Sequence, residues 1–204
     1  AAGGLPGETI KNWRVKAPNS FDCDFGFSCM GYEIAGAWGH AIAKDGDGVP
    51  IVMVGDGSYL MMNSDIYSSV LSGHKMIVVV CDNGGFAVIN RLQTNTGLPG
   101  FNNLLKDSRV VNKSNPVHVD FAKHAESMGA LSRKCDSLAD LEAAMEWAQT
   151  TDRTTVLCID SDAYAWTPGG AGWYVGVPEV NDRESVREAR KHQETFRARQ
   201  RRGV

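Results

Sequence analysis

No apolar run in this chain approaches the ~20 residues that a membrane-spanning helix requires, and no signal-peptide pattern opens it. Membrane insertion and secretion are therefore not expected, and a cytoplasmic protein is. Nor is there a surplus of positive charge: 21 Lys and Arg face 24 Asp and Glu, leaving a net charge of −3. That balance excludes a global electrostatic pull toward nucleic acid or a membrane surface. The cysteines number five, an odd count, and none forms a CxxC pair. A disulfide framework or a thiolate zinc site is thereby disfavoured, and reduced, buried thiols are expected at Cys81 and Cys158, which sit in apolar runs. The five histidines, His40, His74, His118, His124 and His192, show no metal-ligand spacing, so surface or capping roles are expected. Two nucleotide signatures are also missing, the GxxxxGK[ST] phosphate loop and the GxGxxG dinucleotide fingerprint. An initiating Met is missing too, and Ala1 to Glu8 reads as a loop entered from a preceding strand, so a piece of a longer protein is expected.

What is present suits one sizeable core: 204 residues, 43% of them hydrophobic. Residues 31–43 have the spacing of a buried helix, with Gly36 and Gly39 suggesting close packing. Val49 to Val54 reads as a strand. Asn63 or Ser64 is placed to cap a helix through Ile66, Val70 and Leu71 that Gly73 ends. Lys75 to Asp82, with four consecutive β-branched residues, reads as a buried parallel strand. A helix over Val119 to Met128, a short strand at Leu131 to Lys134, a helix capped at Ser137 and a strand at Thr154 to Ile159 follow. Strands that are apolar throughout and alternate with helices predict an α/β fold with an open, mostly parallel sheet and helices on both faces. Residues 86–117 lack a period and are expected to be a functional loop. A second irregular segment, 161–180, carries Tyr164, Trp166, Trp173 and Tyr174, for which packing is favoured over ligand contact. The expected division is a domain over 1–180 and a charged helical tail over 181–204, read as solvated in preference to a phosphate or partner site.

The chemistry-bearing pattern is Gly55-Asp56-Gly57-Ser58, directly after the first strand, with Asn83 at the end of the second strand 27 residues later. Two parallel strands joined by a helix bring both residues to one edge, outside the carboxyl ends where ligands bind on such sheets. Asp56 offers an anionic oxygen, Asn83 a neutral one, and a main-chain carbonyl at Gly85 a third, all of the hard type that Mg²⁺ prefers. Gly55 and Gly57 let the backbone approach a phosphate closely, and the amides near Gly57 and Ser58 are placed to donate to a diphosphate. A second triplet, Gly46-Asp47-Gly48, precedes its strand and has His74 at the matching distance, so it reads as a solvated turn at the opposite edge.

Gly55-Asp56-Gly57 with Asp82-Asn83-Gly84-Gly85 resembles the signature of the thiamine-diphosphate-dependent enzymes of the acetolactate synthase and pyruvate decarboxylase superfamily, with Asp82 where an asparagine is usual. More narrowly, Ala2 to Glu8, Gly31 to Ala37, Gly84 to Gln93 and Trp166 to Gly170 resemble the C-terminal part of the trihydroxycyclohexanedione hydrolases of inositol catabolism. The resemblance implies thiamine diphosphate and Mg²⁺ as cofactors, with Asp56, Asn83 and Gly85 as metal ligands. It places the reactive ring near Gly4, Leu5, Ser28 and Met30, with Met30 as the apolar wedge beneath it; a plain core methionine is the alternative. It implies hydrolytic opening of a cyclic 1,2-diketone substrate to 5-deoxy-glucuronate. The activating glutamate would lie in an N-terminal domain across a homodimer interface, leaving no catalytic residue in this stretch and the stretch inactive alone. An acetolactate synthase-like decarboxylase or carboligase and a non-catalytic diphosphate-binding module remain as other readings.

Overall fold

The computed structural model describes residues 3–24, 26–107, 117–167 and 176–200. Four strands, β1 (Ile51–Gly55), β2 (Ile77–Asp82), β3 (Leu131–Cys135) and β4 (Thr155–Asp160), form one sheet in the order β1-β2-β4-β3. Every pairing is parallel. The two central strands, β2 and β4, are buried at each of their first four residues because they are covered on both faces, whereas the edge strand β1, equally apolar in sequence, is buried only at alternate residues.

One face carries the larger core. Val52, Val54, Val78, Val80, Val156 and Cys158 pack there against Ile34 of α2 (Tyr32–Lys44), Tyr59 of α3 (Asp56–Met61), Ile66 of α4 (Ser64–Ser72) and Phe121 and Ala125 of α6 (Phe121–Ser127). The opposite face is smaller, with Ile77 and Leu157 against Ala144 and Ala148 of α7 (Leu138–Thr150). Helices thus lie on both faces, as the strand pattern predicts.

Helix boundaries follow local chemistry. Ser137 Oγ accepts from Asp140 N–H at 3.1 Å and starts α7, and Asp120 does the same for α6 through Lys123 N–H at 3.0 Å. Gly73 ends α4 in the left-handed region at φ 71°. Asn63 occupies the cap position of α4, but its side chain turns back to the Leu60 carbonyl and does not cap, a correction to the expected role. In α2 only Ile34 and Ala41 are fully buried, and a Cβ on Gly39 would meet nothing within 4 Å. The helix is half-buried, and its glycines do not mark a uniformly tight interface.

Two segments depart from their expected form, and a third, helical as expected, from its expected solvation. Ala1 to Glu8 reads as a loop, but Gly4 to Asn12 form helix α1 (Gly4–Asn12), with Pro6 in its first turn and Thr9 Oγ1 bonded to the Leu5 carbonyl. The segment read as a loop after residue 86 begins with helix α5 (Ala87–Asn95), followed by a 3₁₀ turn at Leu105–Asp107; residues 108–116 lie outside the described set. The charged C-terminal stretch forms α8 (Glu184–Arg199), whose first turns are docked. Val186 is fully buried, Ser185 Oγ donates to the Gly97 carbonyl at 2.6 Å, and Arg190 joins Glu179, Glu194 and the Val177 carbonyl. Beyond Arg190 the helix is mostly exposed, and residues 201–204, like Trp173 and Tyr174, are outside the described set.

Candidate functional site

The register of the first two strands sets the site. Gly55 pairs with Cys81, so the residues that follow, Asp56 and Asp82, leave adjacent strands at the same edge. Asp56 opens α3 and is 5% exposed; its Oδ2 accepts the Gly85 N–H at 2.6 Å. Asp82 Oδ1 accepts the Gly84 N–H at 2.9 Å, which folds the loop after β2 back over the end of β1. Positive φ at Gly84 (76°) and Gly85 (135°) makes that reversal accessible. The loop is then clamped from outside: Phe86 N–H bonds the Asn103 carbonyl at 2.8 Å, and Leu105 N–H the Gly84 carbonyl at 2.9 Å. A Cβ on Gly85 would come within 2.5 Å of the Asn103 carbonyl oxygen, so glycine is needed for this closure.

Asn83 follows Asp82 at this strand end. Its Oδ1 is buried and has no hydrogen-bond partner, a costly arrangement in a finished core. A cation beside Asp56 would remove that cost. Burial, reinforced by the nearby Asp82 charge, raises the Asp56 pKa to about 6 against the pull of the Gly85, Gly57 and Asn83 amides. One buried carboxylate plus one orphaned amide oxygen is a hard-oxygen donor set in want of a positive charge. Among the described residues no group of three His, Cys, Asp or Glu gathers as an all-side-chain cage, which leaves room for phosphate oxygens and water in the coordination sphere.

The glycines divide by surroundings. A Cβ on Gly55 would meet nothing within 4 Å, so space is open above the end of β1. On Gly57 a Cβ would meet the Phe86 ring at 2.6 Å and the Met30 methyl at 3.6 Å. Met30 is therefore brought to the same strand end as Asp56, on a segment shaped by Ser28 (φ 54°) and Gly31 (φ 94°). Ser58 is buried in the first turn of α3. Gly4 and Leu5 are placed differently: they lie in the first turn of α1, where a Cβ on Gly4 would strike the Trp166 ring at 2.3 Å and approach Val88 at 3.5 Å.

Other residues were not singled out from the pattern. Asp82 departs from the usual asparagine, and an Asp two residues before a Gly is itself a turn signal. Phe86, over Gly57, and Asn103, bracing the loop, carry no local signal, since they act across the fold. The histidine reading is corrected at His124, whose Nδ1 lies 3.0 Å from the fully buried Tyr59 hydroxyl. His74 sits with Asp45, Gly46, Gly48 and Lys75 in a cleft of about 410 Å³ formed by the turns after α2 and α4, which precede β1 and β2. The second Gly-Asp-Gly triplet is thus at the opposite edge, as read. All five cysteines are free thiols, and Cys81, Cys135 and Cys158 are at least partly buried. Among the described residues no helix is long and apolar enough to cross a membrane.

Known proteins resemble this chain in sequence and in fold. Two curated relatives, from Halalkalibacterium halodurans and Bacillus licheniformis, are both named 3D-(3,5/4)-trihydroxycyclohexane-1,2-dione hydrolase. Each is 36% identical, over 93% and 95% of this chain but only 29% and 30% of the relative. The chain thus spans less than a third of the length of the curated relatives it matches. Among solved structures, benzoylformate decarboxylase from Polynucleobacter necessarius superposes with a TM-score of 0.64 at 21% identity, covering 74% of this chain and 27% of that one. The model of the C-terminal TPP-binding domain of thiamine pyrophosphate enzymes matches residues 1–159, so the chain belongs to the thiamine pyrophosphate enzyme family through that domain.

Proposed function

We propose that this chain is the diphosphate- and Mg²⁺-binding part of a thiamine-diphosphate-dependent hydrolase that opens 3D-trihydroxycyclohexane-1,2-dione to 5-deoxy-glucuronate in inositol catabolism. The observation that carries the reading is the pairing of buried Asp56 with the unpartnered Asn83 Oδ1 at adjacent strand ends. The family supplies the cofactor, and the names of the relatives supply the reaction.

In this reading Asp56, Asn83 and the Gly85 carbonyl would hold Mg²⁺, which would supply the positive charge that the buried carboxylate and a diphosphate both need. The Gly55 backbone leaves space for a phosphate, and the Gly57 and Ser58 amides donate to it. Ser28 and Met30 would line the cofactor cleft, with the Met30 methyl, close to Gly57, as its apolar support. Gly4 and Leu5 border the reactive end. Thiamine diphosphate, when bound, serves as the electron sink for carbon–carbon cleavage; the protein contributes position and field. Asp56 is ionised when it neutralises the metal, which requires the cation to overcome the burial that otherwise raises its pKa. The activating glutamate comes from an N-terminal domain of the same enzyme across a homodimer interface, in a dimeric or tetrameric cytoplasmic protein, and this stretch alone is inactive.

Calorimetric titration of the enzyme with thiamine diphosphate and Mg²⁺, beside an Asp56→Ala variant, tests the site. The expected result is loss of metal-dependent cofactor binding in the variant, and unchanged affinity would remove Asp56 from the site. A product assay on the cyclic dione tests the reaction, and turnover of a 2-oxo acid with none of the dione would replace it by decarboxylation.

A further inference from the structure

Residues 160–167 leave β4 and cross the ligand edge of the sheet as a strap. It starts at the site, where Ser161 N–H bonds the carbonyl of Asp82, the residue before Asn83, at 2.7 Å. Asp162 Oδ1 then accepts from the Tyr164 and Ala165 amides at 2.6 and 3.2 Å and turns the chain. Tyr164 lies under the Lys106 ammonium, 4.7 Å from ring centroid to nitrogen. Thr167 bonds both Glu8 and Lys11 of α1. Between these fastenings Trp166 is clasped by Gly4 on one side and by Arg91 of α5, whose Cζ is 4.7 Å from the ring centroid.

Arg91 differs from Arg133, which stacks on Trp147 at 3.7 Å but is exposed, in being half-buried beside the strap. A guanidinium has five N–H donors and keeps its charge at every physiological pH. The half-buried Arg190, by contrast, spends its donors on two carboxylates and a carbonyl. Lys75, also half-buried, gives its ammonium to the carbonyls of Gln149 and Thr151. The half-buried Arg91 guanidinium stacks on Trp166 and has no hydrogen bond or ion pair to a described residue. Stacking holds the plane of the fork while leaving its edge unspent. It sits on the helix that begins two residues after Gly85, beside the strap anchored at Asp82.

We propose that Arg91, held flat on Trp166, is a carboxylate-binding residue beside the site, receiving the acid group of an open-chain polyhydroxy carboxylate product. This rests on the hydrolase reading for its substrate. Hydrolysis of a ring 1,2-dione breaks the bond between the two carbonyl carbons. Water supplies a hydrogen to the carbon that leaves as an aldehyde and a hydroxyl to the one that leaves as a carboxylic acid, which then ionises. The substrate is neutral and the product is an anion, so a preformed, uncompensated fork distinguishes them by charge as well as shape. Uncharged cyclic diols and diones gain nothing from it.

Calorimetry on the cofactor-loaded enzyme with glucuronate as the acid probe and glucose as the neutral one tests this. The parent is expected to prefer glucuronate by about ten- to a hundredfold, the range a charge-assisted pair supports. R91Q keeps a planar group on Trp166 and loses the charge; it is expected to bind the two sugars alike while its thiamine diphosphate affinity is unchanged. R91K, charged but without a fork, is expected in between. A parent with no preference for glucuronate, or an R91Q that keeps it, overturns the proposal. Should the dione not be turned over while the Arg91-dependent preference persists, the hydrolase reading falls and the carboxylate site stands. Turnover of the dione with glucuronate binding indifferent to R91Q refutes the site alone.

Discussion

Asp56 is the residue at which stability and ligand binding pull in opposite directions. Burial raises its pKa from the ordinary 3.8 to about 6, so in the ion-free protein its ionised form is disfavoured relative to the unfolded chain. The sign follows from proton counting: between those two values the folded state holds a proton that the unfolded state has lost. The contribution of this group to stability is therefore full below pH 3.8 and is lost as the pH rises through about 6. A difference of roughly two units corresponds to about 3 kcal/mol at neutral pH. Asp56→Asn keeps an oxygen for the Gly85 N–H and removes the charge. It is expected to stabilise the ion-free chain at pH 8 by about 1 to 3 kcal/mol and to leave stability at pH 4 nearly unchanged. The assay is urea unfolding of both proteins at several pH values in the presence of a chelator. Parallel pH profiles for parent and variant would refute the assignment of a buried, uncompensated carboxylate at this position.

Further outcomes are expected elsewhere. Asn83→Ala removes an oxygen that has no protein partner, so urea unfolding of the ion-free chain should shift by under about 1 kcal/mol, while titration should show cofactor affinity falling at least about tenfold. A large stability loss with unchanged cofactor affinity would make Asn83 structural. Tyr59→Phe deletes the hydroxyl 3.0 Å from His124 Nδ1 and should cost about 1 kcal/mol in urea unfolding, with no cost expected if that bond is not made. Gly97→Ala forces a Cβ to within 2.3 Å of the Ser185 carbonyl oxygen at a φ of 84°. It should undock α8, read as faster trypsin cleavage at Arg187 and Arg190, and an unchanged cleavage rate would mean that the helix is held by other contacts.

Part of this protein is legible without tertiary structure. Continuous β-branched runs favour strands, and strands without alternation are covered on both faces, so Ile77 to Val80 and Thr154 to Val156 announced a parallel sheet with helices on either side. The spacing of Asp56 and Asn83 announced a shared edge, because a strand, a helix and a parallel strand return the chain to the same side. The Gly46 triplet was separable from the Gly55 triplet by its place before rather than after a strand. Local caps at Ser137 and Asp120 were equally readable, being bonds between near neighbours.

What only the tertiary structure decided depends on partners far apart in sequence. Composition favours a loop for residues 1–8 and after residue 86, where packing against Trp166 and Asn103 accompanies the helices α1 and α5. The charge-rich tail gave no sign that Gly97 and Val186 dock it. Nothing local marked Phe86 over Gly57, His124 against Tyr59, or Arg91 on Trp166, since each pair is joined across the fold by a contact of a few ångströms. Sequence determines which groups arrive at the sheet edge, because strand and helix periods are local. Which oxygen is left without a partner and which cation without a counter-charge is settled by packing, where neighbours distant in the chain use up, or leave over, each hydrogen-bonding group.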